Sequence, residues 1–146
     1  MKNSHLYHIP IVYMLLYVVA ILISGVWLFL LSQGLASADM LQTLTAIVTT
    51  PEPKSLHNFI EVATPHMFAM GILIFVVTHF MLFSTKVSKK LSLVVSLVLF
   101  VVALFNISAY LFISFGFVVS GWIKLLSMAL FILLFLAMLA MVAFSL

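Results

Sequence analysis

The sequence contains no cysteine, no arginine and only three acidic residues among its 146 positions. Without cysteine, the chain itself can form no disulfide, thiolate metal site, iron–sulfur cluster or covalent c-type haem attachment. Charged residues make up 6% of the chain, whereas 66% of the residues are hydrophobic. Soluble domains carry about 25% charged residues. This composition therefore excludes a soluble globular protein and indicates an integral membrane protein.

Four apolar stretches are present, at about residues 10–32, 55–84, 91–115 and 122–146. Each is long enough to cross the hydrocarbon core of a bilayer, which takes roughly 20 helical residues. The longest remaining segment is a loop at 33–54, which leaves no room for a second domain. The sequence therefore predicts an all-α bundle of four transmembrane helices that forms a single domain over 1–146.

Lysine positions predict the orientation of this bundle, because short loops rich in lysine stay in the cytoplasm. One side of the predicted bundle carries four lysines, namely Lys2, Lys86, Lys89 and Lys90. The other side carries Lys54 and Lys124. Both termini are therefore expected in the cytoplasm and the loop 33–54 outside, as in a protein of a bacterial inner membrane. These flanking lysines also explain the net charge of +3 without a nucleic-acid partner.

The first apolar stretch resembles a cleaved secretory signal in two respects. Lys2 precedes it, and Ala36-Ser37-Ala38 follows it as a possible small-residue cleavage site. However, the run from Ile11 to Leu31 contains Trp27, and it is longer than the roughly 7–15 residues of a signal core. We therefore expect this stretch to be retained as a membrane span.

One face of the first predicted helix carries polar and small residues at helical spacing. This stripe consists of Tyr13, Tyr17, Ala20, Ser24 and Trp27. Aromatic side chains near the membrane interfaces and small residues at helix contacts are common in membrane helices. The same stripe also suits a wall that faces a flat cofactor, and the sequence leaves both interpretations open.

The second predicted helix carries two histidines, His66 and His79. At ~1.5 Å per residue they lie about 20 Å apart along the axis, and at ~100° per residue about 140° apart around it. Ionisable side chains inside a membrane are costly unless a partner or ligand satisfies them, so both histidines indicate a functional site. Pro65 just before His66 is expected to kink or restart the helix, and Ser55 to cap its start.

His66 and His79, with Gly71 between them, resemble the haem-bearing helices of membrane di-haem b-type cytochromes over residues 51–84. In that family, paired helices each supply two histidines, and the haems carry electrons between quinone and a partner protein. The resemblance implies one or two haem b groups with His66 and His79 as axial ligands. The spacing here is one residue shorter than the commoner one, and no second helix carries a matching pair. Arginine, which usually binds the haem propionates, is also missing. Lys54, Lys90 or hydroxyl groups would have to bind the propionates instead.

Second axial ligands must therefore come from other histidines or other chains. By topology, His57 shares the outer side with His66, and His8 shares the inner side with His79. Nine residues place His57 half a turn out of phase with His66, so the two can meet only if the backbone folds back at Pro65. Alternatively, a homodimer or another membrane subunit supplies the second ligands.

Each histidine also has a purely structural interpretation. His66 can hydrogen-bond a backbone carbonyl freed by Pro65, and His79 is near enough to the inner surface for its ring to reach it. Polar residues of the third and fourth spans are expected to join helices by hydrogen bonds that average under about 1 kcal/mol. These residues are Asn106, Ser108, Tyr110 and Ser127.

We therefore expect a b-type cytochrome or cytochrome-like subunit that moves electrons between the quinone pool and a periplasmic redox partner. Such a chain would form part of a quinone-linked oxidoreductase, with Glu61 and His57 accepting protons from a quinol at the outer rim. Alternatively, these two residues belong to a solvent-exposed helix start and have no role in quinol chemistry. A cofactor-free accessory subunit that stabilises a larger membrane complex fits the apolar helices equally well. A copper-binding membrane protein is a third class, because His66 and Met70 share a helix face and offer nitrogen and thioether ligands.

Overall fold

The computed structural model describes residues 5–36, 38–51, 53, 55–82, 86–117 and 120–145. Within these residues there are five helices, α1 (His5–Ser32), α2 (Met40–Thr49), α3 (Leu56–Leu82), α4 (Lys89–Ser114) and α5 (Trp122–Ser145). All except α2 are long and apolar enough to cross a membrane, which makes four spans. The predicted all-α architecture with four spans is confirmed, and the chain is an integral membrane protein.

The ends of the long helices follow local capping chemistry. Ser88 accepts a hydrogen bond from the Leu91 N–H and caps α4, which therefore begins at Lys89, two residues before the predicted span. Ser55 caps α3 as predicted, because its hydroxyl oxygen accepts from the Asn58 N–H at 3.2 Å. The helix α1 begins before Pro10 and includes it, since one proline removes only one backbone hydrogen bond.

The sequence analysis predicts a loop at 33–54, whereas the structure has the ten-residue helix α2 inside it. The Asp39 carboxylate accepts from the Gln42 N–H at 2.8 Å and caps this helix. Thr43 and Ile47 are buried, so one face of α2 packs onto the rest of the protein. The helix is far shorter than the roughly 20 residues of a membrane span, and it adds no fifth crossing.

Gly121, in the connection between α4 and α5, holds the end of α2. Its N–H donates to the Val48 carbonyl oxygen at 3.2 Å, and the Ser120 hydroxyl donates to the same oxygen at 3.1 Å. A Cβ atom at position 121 would collide with the carbonyl oxygen of Ile47. Only glycine therefore allows the two backbones to approach this closely.

The helices α3, α4 and α5 pack against one another, whereas α1 packs chiefly against α5. Apolar residues from all four spans form the core, although α1 supplies only one of them. The core consists of Val18, Ile74, Val77, Met81, Leu99, Ala103, Phe131, Phe135, Met138, Leu139 and Val142. We term α3, α4 and α5 the three-helix unit.

Two contacts set the register of α3 and α5, which run in the same direction. The Thr78 hydroxyl lies 3.9 Å from the Met138 sulfur. The Lys86 ammonium donates to the Phe144 carbonyl oxygen at 2.8 Å, which ties the α3–α4 connection to the last turn of α5. We term this the lysine end of the bundle, and the opposite end, where α2 meets Gly121, the α2 end.

Candidate functional site

The histidines His57 and His66 lie on one continuous helix, because α3 passes through Pro65 without ending. Nine residues at ~100° per residue place their side chains on opposite sides of this helix. Both side chains are exposed. The backbone does not fold back at Pro65, so the structure does not bring these two imidazoles together.

The His66 ring is held by one hydrogen bond, with its Nδ1 atom 2.8 Å from the Val62 carbonyl oxygen. Because a carbonyl oxygen can only accept, Nδ1 carries a proton, and in the neutral ring Nε2 then carries the lone pair. Pro65 frees the carbonyl of Glu61, so the acceptor is not the one that the sequence analysis predicts. An imidazole whose Nδ1 donates to a backbone carbonyl is in the tautomer and orientation in which histidine binds metals.

His79 lies near the end of α3 and is exposed. Its ring stacks on Phe75, with 5.8 Å between the ring centroids and an interplanar angle of 29°. Eighteen residues separate Glu61 from His79, which is about five helical turns, so both lie on one face. We term this the outward face of α3, made of His57, Glu61, Phe68, Ile72, Phe75 and His79, all exposed. The buried residues of α3 lie opposite, at Ala63, Ile74, Val77 and Met81.

His8 and His79, the second pair that topology suggests, lie on helices with different neighbours. His8 is half-buried on α1, which packs chiefly against α5. On the outward face of α3, Phe75 is 63% exposed. The pairing of His8 with His79 stays a prediction.

The described residues contain no group of three or more histidine, aspartate or glutamate side chains that could hold a metal ion. At the α2 end, His57 and Glu61 are exposed and one turn apart. Lys54, one of the cations considered for a propionate, lies outside the described residues. Lys90 is exposed at the start of α4, at the end of the bundle where His79 lies. Among the described side chains, the imidazoles of His57 and His66 are thus separately placed.

A buried polar cluster that the sequence analysis does not predict surrounds Lys124, which is only 9% exposed. Its ammonium donates to the Asn106 carbonyl oxygen at 2.8 Å and to the Asn106 Oδ1 at 3.1 Å. The Ser127 hydroxyl donates to the same Oδ1 at 3.2 Å. The ammonium also lies 5.7 Å from the Phe29 ring centroid and 5.3 Å from that of Tyr110. The cluster therefore links α1, α4 and α5.

The interpretation of Lys124 as a lysine of the outer loop region is incomplete, because its charge lies inside the bundle. Asn106 and Ser127 join α4 to α5, as the sequence analysis predicts. One signal points to the cluster: Lys124 and Ser127 lie three residues apart and Asn106 and Tyr110 four apart, so each pair shares a helix face. Both pairs flank the same connection between spans.

The stripe of polar and small residues on α1 faces away from the other helices. Tyr13 and Tyr17 are each 70% exposed, and Trp27 is 55% exposed. The Ser24 hydroxyl donates to the Ile21 carbonyl oxygen of its own helix at 2.9 Å. The stripe therefore makes no packing seam with the described helices, and it faces the surroundings of the bundle.

A family model described as a transmembrane helical domain, Aq_1264_TM, matches residues 48–146. No curated protein sequence and no solved structure matches the chain. The matched region includes α3, α4 and α5 together with the end of α2, which is more than half of the chain. The chain belongs to the Aq_1264_TM family of transmembrane helical domains.

Proposed function

We propose that the chain is a haem b-binding electron-transfer subunit, in which His66 and His79 each supply one axial imidazole and the second axial ligands come from outside the chain. The observation that carries this proposal is the hydrogen bond from His66 Nδ1 to the Val62 carbonyl at 2.8 Å, on an exposed ring. In the neutral ring that bond selects the tautomer with an unprotonated Nε2, which is the form that binds iron.

The depth of His66 supports the proposal. Counting twelve residues back along α3 and α5 from the Thr78–Met138 contact places His66 level with Leu126. That level is about 6 Å inside the start of α5, at ~1.5 Å per residue. By the same register, His79 lies level with Leu139, about 9 Å inside the other end of α5. The Nε2 of an exposed imidazole at this depth is costly to leave in lipid, so a ligand or a partner protein is favoured at His66.

Haem iron supplies one-electron redox chemistry when it is bound. The residues of this chain orient the imidazoles that would hold it. Val62 holds the His66 tautomer, and the Phe75 ring restricts rotation of His79 by stacking on it. Lys90, exposed at the lysine end, is a cation available to a propionate near His79. The sequence has no matching histidine pair on a second helix, so in this proposal another chain completes each site.

In this proposal, electrons move between the quinone pool and a periplasmic redox partner. The lysine end faces the cytoplasm, because it carries the cluster of Lys86, Lys89 and Lys90. The α2 end then faces the periplasm. There, Glu61 and His57 are exposed one turn apart and available to accept protons from a quinol.

The test is a reduced-minus-oxidised visible spectrum of the protein in mild detergent, with a pyridine haemochrome assay of haem per chain. We expect b-type bands that His66→Ala and His79→Ala each reduce by about half or more, because each variant removes one axial ligand. Met67→Ala, which removes the exposed neighbour of His66, should keep the bands. Folded protein from haem-supplied cells that contains no haem would contradict the proposal.

A second candidate is a cofactor-free accessory subunit that stabilises a larger membrane complex. The observation in its favour is the outward stripe of α1, where Ala20 and Ser24 are exposed. Small residues four apart allow close approach of a helix from another protein. Copurification of other membrane proteins without haem, unchanged in His66→Ala and His79→Ala, would support this role instead.

Copper binding, the third class, rests on His66 and Met70. Met70 is half-buried on the side of α3 that His66 shares, and its thioether suits Cu(I). Metal analysis of the same preparation separates this class from the other two. Copper that is lost in both His66→Ala and Met70→Leu, with no haem bands, would favour it.

A further inference from the structure

We infer that the outward face of α3 binds a second copy of this chain, in a twofold dimer whose two α3 helices run parallel. The inference does not require haem and holds for a cofactor-free protein as well. It gives His57 and Glu61 a structural role at the interface in place of the proton-accepting role proposed above. It rests on the shape of the face and on its charges.

The centre of the outward face is apolar and projects from the bundle. Phe68 is 71% exposed, Ile72 is 46% exposed and Phe75 is 63% exposed. These three side chains lie within about 60° around the helix axis, on the side opposite the buried residues of α3. A second helix can therefore pack along them without displacing any part of the three-helix unit.

Charge complementarity identifies the second helix as another copy of α3. At the α2 end of the face, the His57 imidazole and the Glu61 carboxylate are exposed. Within the described part of the chain, neither side chain makes a hydrogen bond or an ion pair, including with the other. The imidazole can donate a hydrogen bond and the carboxylate can accept one, and the two side chains lie about 40° apart around the helix axis.

A twofold axis along the membrane normal pairs these two groups across the interface. The axis brings the His57 side of one helix against the Glu61 side of the other, and the reverse, because such an interface is self-complementary. An imidazole N–H donates to a carboxylate whether the ring is neutral or charged. Two equivalent His57–Glu61 pairs therefore form at once. All copies insert in the same orientation, so the parallel arrangement is available in every membrane.

The exposed side of α4 lacks this pattern and serves as the reference surface. Its exposed residues include Leu97, which is 57% exposed, and Val101, which is 68% exposed. No charged side chain lies on α4 beyond Lys89 and Lys90 at its start. Such a surface suits lipid, which offers no specific partner to polar groups. A dimer through α3 also brings His79 of both copies to the same depth.

Oxidative cross-linking in native membranes tests the inference, because the natural sequence contains no cysteine. Single-cysteine variants Phe68→Cys and Ile72→Cys probe the outward face, and Leu97→Cys and Val101→Cys probe the reference surface. We expect disulfide-linked dimers from the two α3 positions and monomers from the two α4 positions, at equal amounts of membrane-inserted protein.

Charge substitutions test the pairing itself. In the Phe68→Cys background, Glu61→Lys should lower the dimer yield by about 2- to 10-fold, the range expected when two exposed ion pairs are lost. The exchange of His57→Glu with Glu61→His in one chain should restore the yield. Equal cross-linking from α3 and α4, no dimer from α3, products with a different protein, or an exchange variant without recovery would each overturn the inference.

Discussion

The helix α1 and the three-helix unit are both built from apolar membrane spans, yet they are packed very differently. Among the side chains described at 8–32, α1 buries Val18 and Leu30, whereas the shorter α5 buries seven side chains. The family match begins at residue 48 and includes the three-helix unit but not α1. Similar hydropathy therefore does not imply a similar structural role: α5 is held by neighbours inside the chain, whereas most of α1 faces outward.

The two regions should differ most in the free energy of unfolding that is lost when a large side chain is replaced by alanine, because only in the core does this leave a cavity. Phe135 is fully buried and packs on Phe131, with 5.6 Å between ring centroids. We expect Phe135→Ala to lower the free energy of unfolding by about 2–3 kcal/mol. This is the cavity part of the cost in soluble proteins, because lipid is as apolar as the core.

The matched variant on α1 is Leu28→Ala, since Leu28 is 65% exposed. It should change the free energy of unfolding by less than about 0.5 kcal/mol. Denaturant unfolding in detergent micelles, followed by circular dichroism, measures both variants. Equal destabilisation by the two would remove the distinction between α1 and the three-helix unit.

A smaller loss in the free energy of unfolding is expected from a substitution in the polar cluster around Lys124, which connects both regions through Phe29. Asn106→Leu removes the oxygen that accepts hydrogen bonds from Lys124 and Ser127. We expect a loss of about 1–2 kcal/mol, since the backbone carbonyl of residue 106 still accepts from the ammonium. The same unfolding measurement applies here.

Ser24→Ala is the control for the cluster, because the Ser24 hydroxyl bonds only within α1. Its effect should stay below about 0.5 kcal/mol. A double-mutant cycle between Asn106→Leu and Ser127→Ala should show coupling, because the two side chains share a hydrogen bond. Simple additivity in that cycle would contradict the cluster as a cooperative unit.

The smallest global effect is expected from glycine substitutions. Gly121→Ala forces the Ile47 carbonyl away and releases α2, at a cost of about 1 kcal/mol or less if the undocking stays local. Limited proteolysis should then cut within residues 38–51 faster than in the wild type. Gly25→Ala on α1 has nothing within 4 Å of the new methyl group and should leave cleavage unchanged. Unaltered protection of α2 in Gly121→Ala would contradict this docking.

Apolar run length was enough to predict the four spans, because a helix must satisfy its own backbone hydrogen bonds in lipid. The helix α2 was not predicted, since its ten residues are too few to span and include three threonines that are weak helix formers. Its stability comes from the Asp39 cap and from docking on Gly121. Such a contact joins segments that are distant in sequence, and periodicity does not report it.

At the candidate site, too, helical spacing predicts some features, and contacts between distant segments determine the others. Helical spacing correctly separates the faces of His66 and His79, because that angle depends only on the residue count. Spacing does not reveal which face points toward neighbours, so the outward direction of the α1 stripe and the burial of Lys124 emerge only from packing. Lys124 resembles a flanking lysine because it lies near the start of a span.

The contact between Lys86 and the Phe144 carbonyl spans 58 positions of the chain. A ribosome makes Lys86 well before the last turn of α5 exists, so this ammonium has no Phe144 carbonyl to bind until α5 has been made. The same lysine thus acts at two times. During synthesis its charge helps to retain the α3–α4 connection on one side of the membrane, and afterwards it closes the bundle at that side.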